Sequence, residues 1–478
     1  MNSALQAALP RPWGASVSQY RWLASAGLVI LAVAWPLFVF TGSQTSYLVS
    51  LAAACATAAA LAATRSSLVL GYLVGLMALV GPGLNGQLGN GHALLGSLRL
   101  VDVATAAAAG TVAVSLFASV RSSMFRWRRP GALLTLSVAA VSYAAVRWLM
   151  EGHRVDSFLR TDLRLIALAA LSWFVATHCR TGVTRQLLWC IVTVGLLAAA
   201  KVAAIHYSGL FAIGAEDRLQ SSSSYSQGQL RTILVGGDTL LILAPSVVVL
   251  LITAARRTSM RIVLALSGLL CLWALGLSAT RTSVLVALGL VFAVAVALLL
   301  IYRPRFSRRT FTAGVVATMV ILFVAMLGGA ASRLAHLDVP HAGLNFRMEE
   351  VESFLRASAT TKYAGQGFGG RFLGADAIGK PVLTGWAHEL PVWIALKTGI
   401  FGLLCAILAL VVIVRRARDA LRRGDDHIQI LTGLAFLLGL VVMSMTMDRV
   451  ALPEGIPPLI LGVFLISRAT RSPTVTSA

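Results

Sequence analysis

An imidazole and a carboxylate, His388 and Glu389, stand side by side in "GWAHELPVWIALKTGIFGLL" (385–404), where a polar stretch gives way to a long apolar run. A neutral imidazole with a pKa of ~6.5 accepts a proton near neutral pH, so a histidine there can act as a general base; a lone histidine can equally be structural. Two arginines offer complementary chemistry. Arg281 lies in a short turn in "LSATRTSVLVALG", and Arg347 lies on the first turn of the amphipathic stretch "NFRMEEVESFLRASA" (345–359). A guanidinium presents a planar fork of donors that suits phosphate oxygens. The plainer alternatives are a snorkelling interfacial side chain for Arg281 and a solvated face with local salt bridges for Arg347, which Glu349, Glu350 and Glu352 follow.

Between these groups lies "AGQGFGG", with Gly365, Gly367, Gly369 and Gly370. Such a run permits tight turns and close backbone approach, and it is a weak signal for a phosphate cradle. Lys201 and Asp238 fall within apolar runs at similar depths, a pattern that predicts an ion pair between adjacent spans, with a proton or ion path as the alternative. "HLDVPH" (336–341) brings together His336, Asp338 and His341 without a strong ligand spacing, so no metal is expected. The five cysteines have no paired spacing, and no disulfide framework is expected.

The elements that must position these residues are membrane spans. Of the 478 residues, 58% are hydrophobic and 12% charged, against roughly 45–50% and 25% in soluble domains. Apolar runs close to the ~20 residues that a spanning helix needs fall at about 23–41, 46–63, 66–82, 100–120, 131–149, 164–178, 187–205, 232–255, 262–280, 282–302, 311–330, 389–412, 427–446 and 456–467. The expected fold is therefore an all-α polytopic membrane protein of about 12–14 transmembrane helices. Its organisation reads as a cytoplasmic tail (1–22), a helix bundle with short loops (23–330), one large exported loop with an amphipathic helix (331–388), C-terminal spans (389–467) and a second cytoplasmic tail (468–478). The first run is too long for a cleavable signal core of ~7–15 residues and is expected to remain as an anchor.

Charge sets the expected orientation. With the N-terminus inside, the cytoplasmic connections and both tails hold 23 of the 40 basic residues and 3 of the 18 acids. That asymmetry follows the positive-inside rule and accounts for the formal charge of +22 without nucleic acid as a partner. The cytoplasmic connections are short and contain no Walker lysine loop, so ATP-driven transport is not expected, and chemistry belongs on the exported face.

The Ser-x-x-Arg turn between two spans (Ser278 to Arg281), the arginine helix and Gly-rich stretch of the large loop, and the histidine opening a span that runs into "GIFGLL", in this order, resemble the O-antigen ligase and Wzy-type O-antigen polymerase superfamily of bacterial inner-membrane glycosyltransferases. The likeness is best over about 215–410. The resemblance implies transfer of a glycan from undecaprenyl diphosphate to an acceptor hydroxyl, a second glycan or lipid A-core, at the periplasmic face, with membrane lipids around it and without metal or other cofactor. It implies that Arg281 and Arg347 grip the diphosphate and that His388 is catalytic, with Glu389, Gly367, Gly369 and Arg218 as supporting candidates. The chain departs from the family pattern in three places: Glu389 where asparagine is common, Lys397 near an expected acid, and "SSSSYSQG" where an Asn-Pro-Asn-like stretch is usual. The span count leans towards a repeat-unit polymerase over a ligase. The rival from another class is a lipid-linked glycan flippase, which would need charges lining a path through the whole bilayer, whereas those within spans here gather toward one face.

Overall fold

The computed structural model describes scattered positions between 22 and 60, and residues 131–152, 162, 166, 169, 173, 185–208, 219–221, 230–232, 237–255, 257–278, 281–302, 342–375, 381–384, 390–424, 426–444 and 456–469. In chain order the elements are α1 (Ala132–Glu151), α2 (Arg185–Ser208), β1 (Leu219–Ser221), β2 (Leu230–Thr232), α3 (Gly237–Ala254), α4 (Thr258–Ser278) and α5 (Arg281–Tyr302). They continue with α6 (Ala342–Thr360), β3 (Phe372–Ala375), β4 (Pro381–Thr384), α7 (Leu390–Arg423), α8 (His427–Ser444) and α9 (Ile456–Ala469). The described residues are thus mainly helical, and α1, α4, α7 and α8 are long and apolar enough to cross a membrane. Eight of the expected spans coincide with a described helix; 23–41, 46–63 and 164–178 are described only at scattered helical positions, and 66–82, 100–120 and 311–330 lie outside the described residues.

The chain divides into two compact units, Met1–Arg128 with Leu168–Gly237, and Arg129–Ala167 with Asp238–Ala478. In the first, α2 precedes the antiparallel hairpin β1–β2, in which Leu219 pairs with Thr232. The second holds the remaining elements. There α3, α5 and α8 share a core of Leu250, Val294, Leu298, Leu431 and Ala435, and α1, α7, α8 and α9 close around Leu133, Ile413, Ala417, Ala420, Ile430, Leu437 and Ile466. Small residues let helices meet closely, as expected where lipid supplies no hydrophobic drive between them. A side chain at Gly433 of α8 would come 2.8 Å from the Gly462 carbonyl of α9, and the buried Gln429 amide donates across the same interface to the Leu465 carbonyl (2.9 Å). Outward-facing Ile262, Leu266 and Leu270 on α4, and Ile400, Leu404 and Ile407 on α7, give these helices the apolar exterior a bilayer requires.

Several boundaries differ from the sequence reading. The predicted span at 389–412 continues as helix to Arg423. Its basic end keeps an apolar stripe, Ile413, Ala417 and Ala420, that packs on α1 and α8, so hydropathy fades before the helix does. Helix α3 begins at Gly237, five residues later than the predicted span, which leaves Asp238 in its first turn, and residues 230–232 are strand. The side chains of Lys201 and Asp238 lie outside the described residues, as does "HLDVPH". The helix predicted at 345–359 is α6.

Candidate functional site

Helix α7 is broken. Gly399 has φ 61° and ψ −160°, a conformation open in practice only to glycine, and the helix resumes beyond it. A break deprives carbonyls before it and amides after it of their intrahelical partners, and in an apolar interior each must find another. The Gly-rich segment supplies them. The amides of Gln366 and Gly367 donate to the carbonyls of Leu396 (2.8 Å) and Lys397 (3.0 Å), and the Ile400 amide donates to the Tyr363 carbonyl (3.1 Å). Such contact needs two backbones with no side chain between them: a Cβ on Gly365 would sit 2.4 Å from the Gly399 nitrogen, and one on Gly399 would sit 2.4 Å from the Ala364 carbonyl carbon.

Helix α1 holds the other side of the segment. The Tyr143 hydroxyl donates to the Ala364 carbonyl (2.8 Å) and Arg147 Nε to the Gly365 carbonyl (3.1 Å), while the Phe368 amide donates to the Ala144 carbonyl (3.3 Å). The Tyr143 ring packs on Phe401, just past the break, at 5.0 Å between centroids. Gly367, at φ +80°, lies so near α1 that a Cβ would come 2.3 Å from the Trp148 nitrogen. The segment enters this slot directly from α6, whose end turns through Lys362 and Tyr363, both at positive φ. Two non-glycine residues in that region are uncommon, and the Ile400 amide on the Tyr363 carbonyl helps hold them there.

At the inner end of the slot a lysine and an aspartate are enclosed. Lys397 Nζ lies 3.3 Å from Asp162 Oδ2, and each side chain is 2% exposed. The same carboxylate oxygen accepts the Gly369 amide at 2.6 Å, and the ammonium also donates to the Gly370 carbonyl at 3.1 Å. Residues 162, 369–370 and 397 are thereby tied together, each charge having a partner of opposite sign and a backbone group of matching polarity.

Just beyond, Phe372 of β3 meets Phe354 of α6 edge to face, at 6.2 Å between ring centroids. These two form one buried cluster with Val392 and Leu396 of α7, flanked by Val351, Ala357, Trp393 and Ala395. The apolar face of α6 is therefore fixed on the first half of α7. Glu350 of α6 is buried, whereas Glu349 and Glu352 are exposed, so the acids after Arg347 do not form one solvated face. Glu352 pairs with Arg356 at 2.6 Å.

The residues singled out in the sequence fall around this centre. Arg281 opens α5 three residues after Ser278, where α4 ends, and Arg347 is the sixth residue of α6, in its second turn rather than its first; their side chains are outside the described set. His388 and Glu389 belong to 385–389, between β4 and α7, and Arg218 precedes β1; all three are outside the described residues. Gly367 and Gly369 are in the slot, where their amides serve Lys397 and Asp162. Sequence reasoning passed over Asp162, Tyr143 and Arg147 and met Lys397 only as a departure from a family pattern. An ionisable residue inside an apolar run, two positions before a glycine, was the available signal for Lys397. No protein-family model matches the chain, and no curated protein matches it.

Proposed function

We propose that the chain is an inner-membrane glycosyltransferase that moves a glycan from undecaprenyl diphosphate to an acceptor hydroxyl at the periplasmic face, as a repeat-unit polymerase of surface polysaccharide. The observation that carries this reading is the Phe354–Phe372–Val392–Leu396 cluster. It packs the helix bearing Arg347 onto the helix that His388 enters, so two groups far apart in sequence belong to elements held as one body. Val351, four residues after Arg347, and Val392, four residues after His388, both belong to that contact.

The chemistry follows from the residue types. His388 takes the proton of the acceptor hydroxyl as the oxygen attacks the anomeric carbon. The anomeric C–O bond to the diphosphate breaks, and the negative charge that develops on the leaving group is met by Arg281 and Arg347, whose forks match phosphate oxygens. Glu389 supports the histidine. Attachment of the glycan to lipid A-core is the same reaction with a different acceptor. Among the described residues, the broken helix α7 is a feature that favours a flippase, since discontinuous helices build transporter sites from their freed backbone groups. Here three such groups are taken by residues 363–367.

The test is the lipid-linked glycan that accumulates on undecaprenyl diphosphate when the gene is deleted, measured by mass spectrometry. Single repeat units are expected. Long chains would point to a ligase, and an unchanged lipid-linked pool would refute the proposal.

A further inference from the structure

The Asp162–Lys397 pair is an unusual feature in a chain that could fill the same space with apolar side chains. Burying an ion pair often adds little stability over a well-packed apolar replacement, because desolvation offsets the attraction. What it adds here is direction. The Gly369 amide requires an acceptor and the Gly370 carbonyl requires a donor, and Asp162 and Lys397 meet those demands in that order. A slip of the Gly-rich segment by one residue would break both contacts and carry Phe368 into a position that Gly367 or Gly369 holds at positive φ. Two residues past Gly370 comes Phe372, which is 2% exposed and joins α6 to α7. Register at residues 369–370 therefore sets where Phe372 stands, and Phe372 sets how α6 lies on α7.

We propose that Asp162 and Lys397 are positioning residues of the transfer site: their buried pair latches residues 362–372 into the break of α7 and so fixes α6, with Arg347, against the half-helix that begins beside His388. This rests on the glycosyltransferase reading above. Neither side chain touches substrate; both act through the Gly-rich segment and Phe372.

The experiment uses the full chain, purified in lipid nanodiscs, with two readouts. One is glycan transfer from a polyprenyl-diphosphate-linked donor, resolved into kcat and KM. The other is the spin-label distance between Leu355→Cys on α6 and Ile407→Cys on α7, both exposed positions, in a background freed of native cysteines. The variants are Asp162→Asn with Lys397→Met, which removes both charges and keeps volume, and Asp162→Glu, which keeps both charges but lengthens one arm. Both should broaden the distance distribution and lower kcat by about 10–10²-fold, the scale of a misplacement near 1 Å, with KM little changed. The exchange Asp162→Lys with Lys397→Asp should not rescue, because the backbone polarity at Gly369 and Gly370 is then wrong. Should the double variant fail to fold, Asp162→Glu carries the test. Wild-type kcat with an unchanged distance distribution in a folded variant overturns the proposal, as does rescue by the exchange. Broadened distances in a chain whose wild type transfers no glycan would instead sink the glycosyltransferase reading and leave the latch standing.

Discussion

Replacing Gly399 with alanine tests the slot at its tightest point. The added methyl carbon would lie 2.4 Å from the Ala364 carbonyl carbon and 2.5 Å from the Tyr363 oxygen, both backbone atoms that cannot swing aside. Relief requires that the Gly-rich segment withdraw, and an alanine held in the glycine-only conformation of residue 399 adds about 1–3 kcal/mol. Withdrawal breaks the bonds Gln366–Leu396, Gly367–Lys397 and Ile400–Tyr363, each contributing about 1 kcal/mol net and more where a group is left buried without a partner. Together these give a loss of roughly 4–6 kcal/mol, at the upper end for a single substitution. Gly289, in the middle of α5 with nothing within 4 Å of where a Cβ would stand, is the control: Gly289→Ala should be neutral or stabilising by up to about 1 kcal/mol. Thermal unfolding of the purified proteins, followed by tryptophan fluorescence, compares the two. A Gly399→Ala protein that melts with wild type would refute the account of the break and of the segment that fills it.

Two further predictions concern charge and topology. Lys397→Met alone leaves the buried Asp162 carboxylate without its cation and should destabilise the protein by about 3–5 kcal/mol, well beyond the effect of the Asp162→Asn, Lys397→Met double variant, in the same unfolding assay. Cysteines introduced at exposed positions of α6 such as Met348 should react with a membrane-impermeant thiol reagent in intact spheroplasts, while one in the tail at 468–478 should react only after the membrane is opened; the reverse pattern would overturn the orientation expected from the distribution of basic residues.

Much of the scaffold was legible because apolar run length and helical spacing are local. The α6 helix was readable from the recurrence of Phe346, Met348, Val351, Phe354 and Leu355, although it begins at Ala342, so that Asn345, which reads as an N-cap in the sequence, lies inside it; α8 and α9 followed from their runs. The end of α7 was missed because hydropathy falls at Arg415 while helix propensity and an apolar stripe persist to Arg423. The break was missed because an isolated glycine in an apolar run has no local signature of a left-handed turn; only the segment 363–367 that answers it reveals the need. The Asp162–Lys397 pair joins residues 235 apart in sequence, and nothing in either neighbourhood names the other. Likewise, a glycine run reads as a turn or a phosphate cradle until the partners of its amides are known.

Glycan transfer by the purified chain, from a polyprenyl-diphosphate-linked donor, with His388→Ala beside wild type, bears most directly on the proposed activity. Wild type should transfer, and folded His388→Ala should be slower by about 10²–10⁴-fold, the usual worth of a positioned general base. Transfer by His388→Ala at the wild-type rate, or no transfer by folded wild-type protein, would contradict it.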